Sequence, residues 1–342
     1  MRKLTIMTLL TSAILLSGCW GQKENNEAQK ENGVALPANE GNYVSPLTGE
    51  KTEEKPDQRA TAVVINNHPK ARPQTGLAQA DIVYEVMVEG NMTRFLAIYQ
   101  SQQPEKIGPV RSARDYFIDL ANGYDSLFIA HGYSPDAKKM LQSGEIDQIN
   151  GIQYEGNIFQ RDPSRVAPHN SYMIFDEMNE VAKEKGYDLE TPPDSLNFMK
   201  QAEVKELVGQ EAETVHIRYS NQAAFQVEYK YDTKQQSYER WTSGEQEVDR
   251  ETQEPVLADN IFIIEAGHRV VDSEGRLDID LSSGGSAYLI QHGIVRQVEW
   301  SNVNGRIIPF KKGSMLDFIP GNTWIQVIPA SKGLNQIVEF VK

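Results

Sequence analysis

The residues best suited to chemistry in this sequence sit at the ends of apolar runs in its first half. Glu85 and Glu89 straddle the end of the run IVYEVMV, and Arg94 opens the next, TRFLAIY. The segment IGPVRSARDY follows, with Gly108-Pro109 turning the chain ahead of Arg111, Ser112, Arg114 and Asp115. His131 ends the run SLFIA, and Arg161-Asp162, Arg165 and Pro168-His169-Asn170 lie in a stretch without apolar periodicity. Arginine presents a planar fork of donors that matches carboxylate or phosphate. If Arg111 and Ser112 open a helix, its unpaired N–H groups also favour an anion. Convergence of Glu85, Glu89, Arg94, Arg111, Ser112, Arg114, His131, Arg161, His169 and Asn170 would make a site for an anionic ligand. Arginine–carboxylate pairs also buttress loops with no ligand, and Asn170 could serve only as a helix cap. A purely structural network therefore stands beside the site reading.

The familiar catalytic signatures are missing: there is no P-loop, dinucleotide fingerprint, HExxH or GxSxG. Cys19 is the only cysteine, and the histidines at 68, 131, 169, 216, 268 and 292 lack metal-ligand spacing. No metal or other cofactor is expected. One catalytic alternative remains, a hydrolase of a glycan or phosphodiester in which Glu85 or Glu89 acts as acid or base and Arg111 and Arg114 hold an anion. In the second half, Gly284-Gly285-Ser286 reads as a hairpin turn, and Trp300 and Trp324 read as sheet core sooner than as sugar platforms.

The elements that must position these residues alternate. Strands are predicted over 61–67, 82–88, 93–99 and 126–130, with 89–92 as a tight connection between the second and third. Helices are predicted from a Ser112 cap through Leu120, from Pro135, and over 171–184 up to Gly186. Pro192-Pro193 marks a boundary near residue 200. Beyond it, short strands over 214–219, 224–231, 237–241, 261–265, 277–281, 287–290, 294–300, 306–310, 314–319, 323–329 and 336–341 are separated by turns such as Asn304-Gly305. The pattern predicts an α+β fold. A mixed α/β domain over residues 59–200 precedes a β-rich domain over 201–342, an antiparallel meander or open barrel.

The N-terminus carries an address. Arg2 and Lys3 precede an apolar run ending near Leu16, too short to span a hydrocarbon core of about 30 Å. Leu16-Ser17-Gly18-Cys19 then reads as a lipobox, cut before Cys19 with lipid placed on its thiol. Residues 1–18 are the expected signal peptide and 19–58 a lipidated flexible tether, rich in Gln, Glu, Asn, Lys, Gly and Pro. The expected location is the outer face of a cell membrane. The lone cysteine excludes an internal disulfide. Lysine and arginine total 34 against 48 acidic residues, a formal charge of −14. Such a chain is a poor nucleic-acid binder by bulk electrostatics, and an anionic membrane surface would repel it without a covalent anchor.

The lipobox, the runs RPQTGLAQADIVYEVMVEGNMTRFLAIYQ and IGPVRSARDYFIDLANGYDSLFIAHG, the APHN segment and the late GNTWIQVIP together resemble the YerB-type lipoproteins. The resemblance runs from about Ala60 to the C-terminus, and PVRSAR and TRF are its most specific parts. Members commonly have His-Gly-Gly-Ser where this chain has His131-Gly132-Tyr133-Ser134, so that turn differs. The resemblance implies two domains and a surface location, and supplies no activity or catalytic set. The functional expectation is a membrane-anchored extracytoplasmic lipoprotein that binds an anionic envelope component or a protein partner. The alternatives are the hydrolase above and a scaffold for envelope proteins.

Overall fold

A computed structural model gives the fold and describes residues 42–341. The expected signal peptide, Cys19 and the expected tether up to residue 41 lie outside the described residues.

Three strands form the centre: β1 (Thr61–Asn66), β2 (Ile82–Met87) and β3 (Thr93–Tyr99), with every residue of each buried. Strands covered on both faces need apolar side chains on both, which is why these stretches read as near-continuous apolar runs without alternation. Helix α1 spans Asp115–Asn122, β4 Leu127–Ala130, α2 Pro135–Ser143, β5 Gln148–Asn150, β6 Phe159–Arg161, β7 Ser171–Ile174 and α3 Phe175–Glu184. The C-terminal half contributes β8 (Thr214–Arg218), β9 (Gln226–Asp232), β10 (Ser237–Thr242), β11 (Asn260–Val270), β12 (Leu277–Asp280), β13 (Gly285–Gln291), β14 (Ile294–Val303), β15 (Arg306–Lys311), β16 (Thr323–Pro329) and β17 (Val338–Val341). The fold is α+β with a β-rich C-terminal part.

One mixed sheet of thirteen strands carries both halves, in the order β15–β14–β13–β11–β16–β2–β3–β1–β4–β5 with short strands added along it. β13 to β15 form the antiparallel meander expected of the second half. β16 is the join: it lies parallel to β11 on one side and to β2 on the other. On one face Val63, Val83, Phe95 and Ala97 pack with Val215, Ile217, Val227 and Tyr229 of a second antiparallel sheet, β10–β9–β8–β17. On the other, Val64, Tyr84 and Leu96 pack with Tyr116, Phe117 and Leu120 of α1 and Ala137 and Leu141 of α2. Each such large apolar side chain contributes about 1.5–3 kcal/mol by leaving water.

Four local expectations are corrected. The first helix begins at Asp115, with Arg114 extended at its N-cap and no side-chain cap bond, so Arg111 and Ser112 lie outside it. The 109–113 run instead bonds sideways to β1 and to the turn after β4. The predicted helix over 171–184 is a strand followed by a helix, because Tyr172 and Met173 pair with β6 and Met173 and Ile174 with Lys106–Ile107. Asn170 caps neither element; it accepts from Arg161 and donates to Asp162 O and Arg165 O. Finally, residues 42–58 are no free tether. Leu47 is fully buried, Tyr43–Val44 pairs with Lys51–Thr52, and Thr48 O accepts from Gly321 N–H. Trp300 and Trp324 are core residues, as expected.

Candidate functional site

β1, β4 and β5 run parallel, and β2 shares their direction because β3 is antiparallel to both β1 and β2. Their C-terminal ends therefore open on one edge, where layered α/β sheets commonly bind ligands. His68 follows β1, Glu89 follows β2, Arg94 opens β3, His131 follows β4, and Asn150 ends β5. The run 109–113 crosses this edge. Arg111 N–H donates to Val64 O at 2.8 Å, Arg111 O accepts from His131 N–H at 2.9 Å, and Ala113 N–H donates to Gly132 O at 3.0 Å. In an extended run, residues three apart do not share a face, and Arg111 and Arg114 accordingly meet different neighbours.

Arg114 turns inward to Glu89, which it grips with two bonds from one nitrogen at 2.7 and 2.8 Å. Arg94 donates to the same carboxylate at 2.9 Å and to Ser112 O at 3.1 Å. Burial alone would raise the Glu89 carboxyl; the two guanidiniums outweigh it and hold it at about 2. Burial, and then the neighbouring Arg114, bring Arg94 down to about 10. A carboxyl in that state cannot donate a proton at neutral pH.

His131 is held between β7 and the α/β loops. Its Nδ1 is 2.7 Å from Ser171 Oγ, and its Nε2 is 3.8 Å from Glu155, whose carboxylate accepts from Arg161 Nε at 2.6 Å. Serine, imidazole and carboxylate in that order resemble a nucleophilic triad. Burial decides otherwise: Ser171 is 2% exposed, and Glu155 is taken by Arg161. The group pins β7 to the end of β4. One glycine makes room for the His131 ring and another for the neighbouring Ser112. A Cβ at Gly151 would stand 2.4 Å from the His131 ring, and one at Gly132, where φ is +95°, would stand 2.6 Å from Ser112 Oγ.

The third group joins Arg111 and His169, both candidates from the sequence, to His68, which was not. The rings of His68 and His169 stack at 4.4 Å between centroids and 23° between planes. Arg111 lies against the same segment, with one long bond of 3.4 Å from its guanidinium to Pro168 O. Its guanidinium has no ion pair among the described residues, although it is only half-exposed. Arg165 beside it donates only to neutral acceptors, Ala71 O, Pro73 O and Tyr172 OH. Burial, followed by Lys70, Arg72 and Arg111, lowers the His68 imidazole below its ordinary value. Burial, followed by His68, Arg111, Lys70 and Arg165, does the same to His169.

The structure thus gathers Glu89, Arg94, Arg111, Ser112, Arg114, His131, Arg161, His169 and Asn170 along one edge. Glu85 is the exception. It is 1% exposed, bonded to Asn67 and Thr93, and paired at 2.7 Å with the fully buried Arg240. No ligand or substrate proton can reach it, so Glu85 is neither the ligand contact nor the acid or base that the sequence suggested. Sequence reasoning missed His68 and Lys70. The signal available was a basic run, HPKAR, directly after an apolar strand in an acidic chain.

This is an α+β protein with a cationic sheet edge in its N-terminal half and a β-rich C-terminal half. Two family models match it: the N-terminal domain of a protein family of unknown function (DUF3048) over residues 47–188, and the C-terminal domain of the same family over 215–325. The chain belongs to this family. It is 49% identical over 297 residues to YerB of Bacillus subtilis (strain 168), whose description calls it a lipoprotein, covering 86% of this chain and 89% of the relative. The crystal structure of the Bacillus subtilis YerB protein matches with a TM-score of 0.81 at 47% identity, covering 88% of this chain and 100% of that one. Among the described residues no helix is long and apolar enough to cross a membrane.

Proposed function

We propose that this chain is a lipoprotein held by Cys19 on the outer face of the cell membrane, and that the sheet edge around Arg111 binds an anionic group of the envelope. One observation carries the binding reading. Arg111 is a half-exposed guanidinium with one long hydrogen bond and no ion pair among the described residues, in a chain of net charge −14; the carboxylate that acts on it from further off, Glu89, is held by Arg94 and Arg114. In so acidic a protein, an arginine supplied with carboxylates would be the ordinary outcome; Arg94 and Arg114 share one. A buried or half-buried fork left with spare donors is suited to an oxyanion.

The test is titration calorimetry of the unlipidated mature chain at low salt with two soluble polyanions, poly(glycerol phosphate) and polyglutamate. Arg111→Ala is expected to weaken binding at least tenfold while leaving stability within about 0.5 kcal/mol, since no internal partner is stranded. A wild-type chain that binds neither polymer, or an Arg111→Ala chain that binds as well as wild type, overturns the reading.

Anchoring is tested separately. Cys19→Ala in the full precursor is expected to abolish incorporation of labelled palmitate and to move the protein out of the membrane fraction. A single acyl chain holds a protein only marginally, so removing the whole anchor should have an all-or-none effect. Label and membrane retention that survive the substitution would refute the assignment.

A further inference from the structure

We infer that His68 and His169 are the second half of the Arg111 site, two fixed Nε2–H donors that select a phosphate group over a carboxylate and strengthen their hold as pH falls. This rests on the anion-binding reading above and names the ligand class.

The tautomers follow from the hydrogen bonds. His68 Nδ1 accepts from Lys70 N–H at 3.1 Å, so it carries no proton. Asn66 Oδ1 accepts from His68 N–H at 3.0 Å, which fixes the Asn66 amide with its nitrogen toward His169. That nitrogen is 2.9 Å from His169 Nδ1, so this Nδ1 is an acceptor as well. A neutral imidazole with an accepting Nδ1 bears its proton on Nε2. Asn66 is buried at the end of β1, so the arrangement is set by the sheet. Neither Nε2 bonds to a protein group among the described residues, and both rings are half-exposed.

The ligand class follows from the donor set. A carboxylate presents two oxygens in one plane, and a single guanidinium fork satisfies them. A phosphate carries further oxygens outside that plane, which is where donors from other elements become useful. The end of β1 supplies His68, the loop before β7 supplies His169, and the run across the edge supplies Arg111. The groups that act on the two rings are Lys70, Arg72, Arg111 and Arg165, with no carboxylate among them. A bound phosphodiester would be the close anion this surround lacks, since Glu89, which acts on Arg111, is held by Arg94 and Arg114. It would favour the imidazolium form and so draw a proton onto the pair. Binding should therefore tighten as pH falls through the histidine range, since ligand and proton each favour the other.

The experiment compares poly(glycerol phosphate) in solution, phosphatidylglycerol vesicles and polyglutamate at pH 7.5 and 5.5. A phosphodiester keeps its single charge across that range, so any change belongs to the protein. The expected result is at least tenfold preference for a phosphodiester probe over polyglutamate at pH 7.5, and a several-fold rise in the affinity for the phosphodiester itself at pH 5.5. The tighter of the polymer and the vesicle identifies the source. His68→Asn with His169→Asn keeps an acceptor near each Nδ1 and removes both Nε2 donors; it should erase the preference and the pH effect while residual anion binding through Arg111 persists. Imidazole nitrogen NMR of the wild type, needing no variant to fold, should show both rings as Nε2–H tautomers, and imidazolium on adding glycerophosphoglycerol at pH 5.5. Equal affinity for polyglutamate, or an Nδ1–H tautomer at either ring, overturns this inference and leaves the anion site standing. Absence of all binding removes both.

Discussion

Replacing Arg240 by alanine is expected to cost about 4–5 kcal/mol of stability, a large share of what a folded domain has in hand. Arg240 is fully buried between Glu85 and Glu247, with the rings of Phe95, Trp324 and Tyr229 4.7 to 5.9 Å from its guanidinium. Burial opposes its charge, but the two carboxylates outweigh burial and push its pKa up. Arg72 also acts on this network and brings its charges toward balance. Alanine would strand Glu85 and Glu247 in a dry interior. Because Glu85 belongs to the first matched domain and Arg240 and Glu247 to the second, the damage falls on the contact between them. The urea midpoint of Arg240→Ala measures the loss, and Glu85→Gln/Arg240→Met/Glu247→Gln should recover a substantial part of it, since a buried ionic group replaced as a whole is often neutral. A loss below 1 kcal/mol in the single variant would show that the network does not hold the halves together.

Removing Glu89 is expected to cost about 3 kcal/mol, because Arg94 and Arg114 would stay buried with no counter-charge. The same pair gives a pH signature. The Glu89 pKa is held at about 2 in the folded chain, against 4.5 ordinarily. A depressed carboxyl means the unfolded chain binds more protons in that window. The stabilisation is therefore present above about 4.5 and is lost as pH falls toward about 2. It amounts to about 2–3 kcal/mol after screening at a partly exposed group. Thermal melts of wild type and Glu89→Gln should converge as pH falls through this window. Melts that stay a fixed distance apart from pH 5 to 2.5 would mean the carboxylate is not charged by its arginines.

Central strands were legible because their apolar runs are unbroken, and Thr93–Tyr99 and Thr323–Pro329 are placed to the residue. The helix expected at Ser112 failed because a good cap residue carries no information about the sheet edge that competes for the same backbone bonds. Tyr172 was assigned to a helix on periodicity, yet its strand partner Gln160 lies twelve residues away, beyond any local window. The site was read in part. Arginines placed at strand ends do come together at one edge, since strand direction alone sends those ends together. Glu85 was misplaced because its cover, Arg240, comes from a strand 155 positions later in the chain. His68 was overlooked because its partner His169 is brought to it only by the loop after β6.

The position of β16 bears on the order in which the molecule can be completed. Its residues, Thr323–Pro329, are among the last of the chain, yet they fill the slot between β11 and β2. Until they arrive, β2 has β3 on one side and a bare edge of backbone donors and acceptors on the other. On the location proposed above, with export from the N-terminus, the anchored end would emerge early and wait beside the membrane with that edge open. The mature shape would then be reached only after Thr323–Pro329 had crossed. For a protein so exported, export and completion of the sheet are consecutive, and the interval between them is when it most needs shielding from other exposed strands.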